Sequence, residues 1–175
     1  MNKIIIISGK QYSGKDTLAS ILLKKMPDFK RVGIGDAIKI EYGKKNNLSF
    51  EEIEKNKHLY RNDLIELGNW GRKKDKNYWL SSLSKMDKII VPDIRVLDEV
   101  NFFKEKNAFL VRIESNIESR KTRGIIVNEN DSTETNLDNY KNWDFVVCNN
   151  SDLEHLNKEA DMLLEKFQKH IEKII

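Results

Sequence analysis

The segment Gly9-Lys10-Gln11-Tyr12-Ser13-Gly14-Lys15 sets two glycines five residues apart and places a lysine directly after the second. That spacing is the signature of a phosphate-binding loop. Glycines let successive backbone N–H groups curl around an anion, a following helix turns its positive end toward it, and the lysine reaches the outer phosphate oxygens. The neighbours of the loop support this reading. Lys3 to Ser8 carries four consecutive isoleucines and reads as a short buried strand, whereas Asp16 to Lys25 repeats apolar residues at Leu18, Ile21 and Leu22 and is stopped by Pro27. Strand, glycine loop and helix therefore follow in order.

Working outward, further strands are expected around Arg31 to Ile34, at Lys88 to Val91 (ended by Pro92 and Asp93), at Ala108 to Ile113 and at Trp143 to Cys148. Helical patterns separate them. Residues 36–86 are almost wholly helical in pattern, with Leu59, Leu64, Ile65 and Leu67, then Trp79, Leu80 and Leu83, as apolar stripes. A terminal helix from Leu153 carries Leu156, Ala160, Leu163, Leu164, Phe167 and Ile171 on one face. Gly124 to Thr135 is polar and reads as a loop. Strands alternating with helices predict an α/β fold, a five-stranded parallel sheet with helices on both faces.

At 175 residues, with 39% apolar residues and one cysteine, the chain has the size of a single domain and offers no disulfide framework. Cys148, on an apolar strand, is expected to be a small buried hydrophobe. The apolar run Ile4–Ile7 is far short of the roughly 20 residues of a membrane span, so no membrane is expected as a partner and the expected location is cytoplasmic. Basic and acidic residues, 31 against 28, are interleaved along the chain and leave a net charge of +3. Lysine doublets are scattered rather than gathered into a stripe, which argues against polymeric nucleic acid. Six of the seven arginines lie between positions 61 and 123, where planar forks suit phosphate.

Ser8-Gly9-Lys10 with Ser13-Gly14-Lys15-Asp16-Thr17 resembles the phosphate loop of bacteriophage-type deoxynucleoside monophosphate kinases. It is equally similar to that of animal-type phosphomevalonate kinases, which belong to the same nucleoside monophosphate kinase-like group. The similarity continues through Val91-Pro92-Asp93-Ile94-Arg95 with Glu99, through Asp131-Ser132-Thr133-Glu134-Thr135 with Leu137-Asp138, and through Asp144-Phe145-Val146-Val147 with Asn149 and Asn150. Tyr60-Arg61-Asn62-Asp63-Leu64 with Gly68 and Arg72 also resembles both families. The resemblance implies a three-layer P-loop kinase with a helical acceptor region at 36–86 and an Arg-bearing lid at 114–135. Mg·ATP is the implied donor, and the chain is expected to act as a monomer or homodimer. Asp93, Arg95 and Glu99, and Asp16 followed by Thr17, are similar to the phage-type pattern. Phosphomevalonate kinases tend to carry two adjacent arginines after the strand-end Asp, and Val96 stands in the second place here. The expected acceptor is thus a deoxynucleoside monophosphate, with phosphomevalonate as the alternative. A regulatory ATPase would need a switch segment and a water-positioning residue, and neither is visible.

Phosphoryl transfer asks for positioning and positive charge. Gly9, Lys10, Ser13, Gly14, Lys15, Asp16 and Thr17 are the expected donor-site residues. The hydroxyl that usually follows the loop lysine is replaced by Asp16, so Asp16 or Thr17 is expected at the metal. Arg120 and Arg123, three apart, are expected either to clamp the donor phosphates or to form a solvated basic face. Arg61, Arg72 and Arg95, with Lys39 as an auxiliary charge, are candidates for the acceptor phosphate. Asp93 reads as a ligand to metal-bound water, a hydrogen-bond acceptor to the nucleotide, or a cap for the helix after Val96, and Glu99 as a residue that binds a sugar hydroxyl or pairs with Arg95. Asp36 is an acceptor-side polar residue or a helix cap. Trp70, with Tyr78 and Trp79, can stack on a base or lie in the core. Glu134 is expected to touch the acceptor or orient a lid arginine, and Asn149 to lie at the adenine or in a turn.

Overall fold

The computed structural model describes residues 2–126, 129–130 and 132–174; side chains at 57, 58, 61, 132 and 133 lie outside that description. The strands are β1 (Ile4–Ser8), β2 (Lys30–Arg31), β3 (Ile89–Ile94), β4 (Phe109–Glu114) and β5 (Phe145–Cys148). They form one parallel sheet in the order β2-β3-β1-β4-β5, with Ile5 paired to Ile90 on one side and Phe109 on the other. Helices fill the connections: α1 (Lys15–Lys25), α2 (Ile34–Asn46), α3 (Phe50–Lys55), α4 (Lys57–Lys74), α5 (Tyr78–Ser84), α6 (Leu97–Lys104), α7 (Ile117–Arg123), α8 (Ser132–Thr135) and α9 (Leu153–Ile174).

The isoleucine run explains why β1 is central. Side chains of a strand alternate between faces. Ile4 and Ile6 accordingly enter a core with Ile38 of α2, Trp79 and Leu83 of α5, and Val100 and Phe103 of α6. Ile5 and Ile7 enter the opposite core with Leu18 and Leu22 of α1 and Leu156, Ala160, Leu163 and Phe167 of α9. All four are buried, each contributing about 1.5–3 kcal/mol relative to an exposed position. The three-layer α/β expectation stands on these two cores.

Several boundaries differ from the sequence expectations. β2 is only two residues long, because Gly33 already caps α2, its N–H donating to the Asp36 carboxylate at 2.8 Å. β3 does not stop at Pro92 but runs through Asp93 to Ile94. Proline lacks a donor, and the β1–β3 register shifts between Ile6 and Ser8, while β2 ends opposite Ile90. Leu59 and Ile65 of α4 are exposed, and only Leu64 and Leu67 pack against the core. Cys148 is exposed rather than buried. It lies on the sheet edge, where β5 buries Val147 and leaves the alternate residues Val146 and Cys148 outward.

Candidate active site at the carboxyl ends of the strands

Crevices outside the carboxyl ends of parallel strands are where such sheets bind ligands, and the phosphate loop leaves β1 at that end. Gly14 has φ +101°, a left-handed conformation that glycine adopts without strain. A Cβ there would also strike the amide nitrogen of Asn149. Gly9 is equally confined, since its Cβ would lie 2.6 Å from the carbonyl oxygen of Ile113 and 2.5 Å from Ser13 Oγ. Ser13 Oγ is buried with no hydrogen-bond partner among the described residues.

Lys15 opens α1 and folds back over the loop, donating to the carbonyl oxygens of Gly9 at 2.6 Å and Lys10 at 2.9 Å. Burial, and then the neighbouring Arg95 guanidinium, push its pKa down to about 8, with Glu134 and Asp16 opposing. Asp16 is 79% exposed and pairs with Arg31 at 2.9 Å. Thr17 is exposed beside it. No cluster of three potential metal ligands exists among the described residues.

Glu134 joins the loop to β3. Its buried carboxylate accepts the Gln11 backbone N–H at 2.8 Å and the Arg95 guanidinium at 2.8 Å. Four residues on, Asp138 pairs with Lys10 at 2.9 Å and with Arg112 at 3.5 Å. Arg112 is buried within β4, donates to Ser8 Oγ at 3.1 Å, and has its pKa lowered by burial. Neither Arg112 nor Asp138 stands among the sequence candidates. A charged residue inside the apolar run Phe109–Ile113 was the available signal for Arg112, because buried charges need partners.

Arg120 and Arg123, the arginines expected in a lid, lie against the loop. Arg120 is buried, donates weakly to the Gln11 carbonyl oxygen at 3.5 Å, and pairs with Glu129 at 2.5 Å. Arg123 donates to the carbonyl oxygens of Tyr12 at 3.2 Å and Asn149 at 2.8 Å. The solvated basic face is therefore the wrong alternative for Arg120. Asn149 is buried and donates to the Ser13 carbonyl oxygen at 2.8 Å, so its side chain braces the loop.

A cavity of about 470 Å³ opens on the other side of Arg95, lined by Arg72, Lys76, Trp79, Asp93, Asp98 and Glu99 among others. Asp93 accepts the Ile34 N–H at 3.1 Å and so holds the start of α2, not the helix after Val96; burial raises its pKa. Glu99 takes the backbone N–H groups of Arg95 and Val96 at 2.8 and 3.2 Å, capping α6 rather than pairing with the Arg95 guanidinium; its pKa is also raised by burial.

Other expected acceptor residues lie elsewhere. Lys39 is buried between Asp36 (3.1 Å) and Glu54; burial alone would lower its pKa, but those two carboxylates outweigh it and raise it. Its charge is spent there. Asp36 is a helix cap that also binds Arg31 at 3.2 Å. Trp70 is half-exposed on α4, with Lys45 and Lys74 over its ring, and does not line the cavity. Trp79 lies in the cavity wall but is a core residue, its indole N–H held by the Gly68 carbonyl oxygen at 3.0 Å. Arg61 lies on α4, with its side chain outside the described set.

A family model described as phosphomevalonate kinase matches residues 7–109. A phosphomevalonate kinase of Drosophila melanogaster is 29% identical over 188 residues, covering 96% of this chain and 98% of the relative. Among solved structures, shikimate kinase from Aquifex aeolicus superposes with a TM-score of 0.54 at 21% identity, covering 93% of this chain and 96% of that one. APS kinase from Mycobacterium tuberculosis, in complex with AMPPNP and APS, superposes with a TM-score of 0.57 at 14% identity, over 95% and 98% of the two chains. These structures share the fold of a P-loop kinase. The expectation of a deoxynucleoside monophosphate acceptor is overturned by the first two matches, both of which carry the description that the sequence reading had placed second. Val96, the residue that weighed against it, sits in the α6 cap with its N–H taken by Glu99.

Proposed function

This chain belongs to the phosphomevalonate kinase family and is a P-loop phosphotransferase; from that premise we propose that it transfers the γ-phosphoryl group of ATP to the phosphate of phosphomevalonate. The observation that carries the reading is the position of Arg95. It lies at the end of β3, tied through Glu134 to the phosphate loop on one side and lining the 470 Å³ cavity on the other. A guanidinium so placed can hold an acceptor phosphate in line with a donor phosphate.

In this scheme Arg72, Lys76 and Arg95 supply positive charge to a small anionic acceptor. An acceptor phosphate oxygen bonds to the γ-phosphorus as the bond to the β-phosphate bridging oxygen breaks, so the products are ADP and diphosphomevalonate. Lys15 and the loop N–H groups hold the donor phosphates, and Arg120 and Arg123 are close enough to follow the charge as it moves. Asp93 and Glu99 act through backbone groups, fixing the ends of α2 and α6 that frame the cavity.

The donor site fits a nucleotide. A buried Ser13 hydroxyl without a partner among the described residues, a cramped Gly14 and a cationic Lys15 make a loop shaped for an anion. Mg²⁺, carried on the nucleotide phosphates, would supply charge neutralisation. Asp16 and Thr17, both exposed at the start of α1, are the residues that would hold it, with Asp16 turning from Arg31.

The test is an acceptor panel with Mg·ATP: phosphomevalonate, dTMP, dGMP, dCMP, dAMP and AMP, scored by ADP release. Phosphomevalonate is expected to be turned over in preference to every nucleotide. Preference for any nucleotide would overturn the acceptor assignment.

A further inference from the structure

The segment from Glu134 to Asp138 presents two carboxylates to the phosphate loop. Glu134 lies in the short helix α8 and Asp138 in the turn that follows it; Glu134 takes the Gln11 N–H and Arg95, while Asp138 takes Lys10 and Arg112. The segment is itself well anchored: Leu137 is buried in the core, and Asn136 accepts the Leu97 N–H at 2.7 Å at the start of α6. An internal carboxylate thus occupies one of the backbone donors from which a phosphate loop is built, and it shares that position with the arginine of the acceptor cavity.

We propose that Glu134 is an internal latch that couples the two substrate sites, by holding the Gln11 amide and Arg95 together until an acceptor phosphate draws Arg95 away. An anion entering the cavity beside Arg72 competes with Glu134 for the Arg95 guanidinium. Once Arg95 turns to that anion, the ion pair that fixes the Glu134 side chain is broken, and the carboxylate is free to rotate off the Gln11 amide. The loop then binds donor phosphates more tightly. Because linkage is reciprocal, the donor must tighten the acceptor by the same factor. The consequence for catalysis is that nucleotide binding in the absence of acceptor is suppressed, which limits wasteful hydrolysis of ATP. The acceptor and the part of Arg95 in holding it rest on the function proposed above, whereas the hold of Glu134 on Gln11 and Arg95 rests on its own contacts.

The test measures the dissociation constant of a non-hydrolysable ATP analogue by calorimetry, with and without saturating phosphomevalonate. In the unsubstituted protein phosphomevalonate is expected to tighten the analogue about fivefold or more, the usual lower range of allosteric coupling. Glu134→Gln, without acceptor, is expected to bind the analogue tighter than the unsubstituted protein and to gain little more from acceptor. Glu134→Asp keeps the charge but is one methylene shorter, so it cannot span Gln11 and Arg95 together; the latch requires tighter binding here also. If Glu134→Asp binds no tighter than the unsubstituted protein, charge alone explains the glutamine variant and the latch is wrong. Equal or weaker binding by both variants, each shown to be folded by its thermal transition, also overturns it. Failure of phosphomevalonate to bind the unsubstituted protein would overturn the acceptor assignment, while the acceptor-free comparison still decides the latch.

Discussion

The side-chain amide of Asn149, at the end of β5, donates to the carbonyl oxygen of Ser13, 136 residues earlier, at 2.8 Å in a buried site. The phosphate loop is thereby tied to the far edge of the sheet. The same amide nitrogen fills the space that a Cβ on Gly14 would need. Asn149→Ala should leave the buried Ser13 carbonyl without that donor and cost about 1–3 kcal/mol, read as a lowered denaturant midpoint. Gly14→Ala should lose nucleotide binding in calorimetry, through both the crowded site and the positive φ. Unchanged stability in the first variant would remove Asn149 from its bracing role.

Lys15 titrates near pH 8, well below an ordinary lysine, chiefly because it is buried. Activity and stability should therefore move in opposite directions. As pH rises through about 8 the free enzyme loses the loop charge, so kcat/KM for ATP should fall with an apparent pKa close to that value. Between about 8 and the ordinary lysine value of 10.5 the unfolded chain binds more protons than the folded one, so this group's contribution to stability should rise with pH. Lys15→Met should abolish transfer. A kcat/KM profile that is flat from pH 7 to 9 would contradict the assignment.

Arg72 lines the cavity proposed for the acceptor and, among the described residues, makes a single long contact of 3.5 Å to Asn69, so its guanidinium is available to an anion there. Arg72→Ala should raise the acceptor KM by about 10-fold or more, the loss expected for a charged hydrogen bond, with the KM for ATP nearly unchanged. Steady-state kinetics with each substrate varied in turn separates these effects.

Trp70 packs edge-on against Tyr78, with two lysine ammoniums over its ring, outside the cavity. Trp70→Ala should leave kcat and both KM values within about twofold, and its cost should appear as a modest stability loss on the order of 1 kcal/mol. A large rise in acceptor KM would return this residue to the site.

Cys148 is exposed on the edge strand. The native protein should therefore give one equivalent of thiol to a water-soluble disulfide reagent without denaturant. Cys148→Ser should shift stability by no more than about 0.5 kcal/mol, as for other surface substitutions. A thiol that reacts only after unfolding would restore the buried reading.

The loop and the sheet were legible in the order of residues because their determinants are local. Two glycines and a lysine at fixed spacing, four isoleucines in a row, and the apolar stripe of α9 each carry their meaning within about 20 residues. What stayed out of reach was every pairing across long distances in the chain. Whether Lys39 is free or spent on Glu54, whether Asp93 caps the helix that follows it or one almost 60 residues earlier, and whether Arg112 has a partner in Asp138 are matters of tertiary neighbours. Charged side chains are long, and their partners are set by which elements the sheet order brings together. The run from Val91 to Glu99 could thus announce a functional strand end, but only the folded chain assigned Asp93 and Glu99 to backbone amides and set Arg95 between Glu134 and the 470 Å³ cavity. Local patterns fix the backbone, whereas a carboxylate or guanidinium takes whichever opposite charge or unpaired donor the packing places within reach.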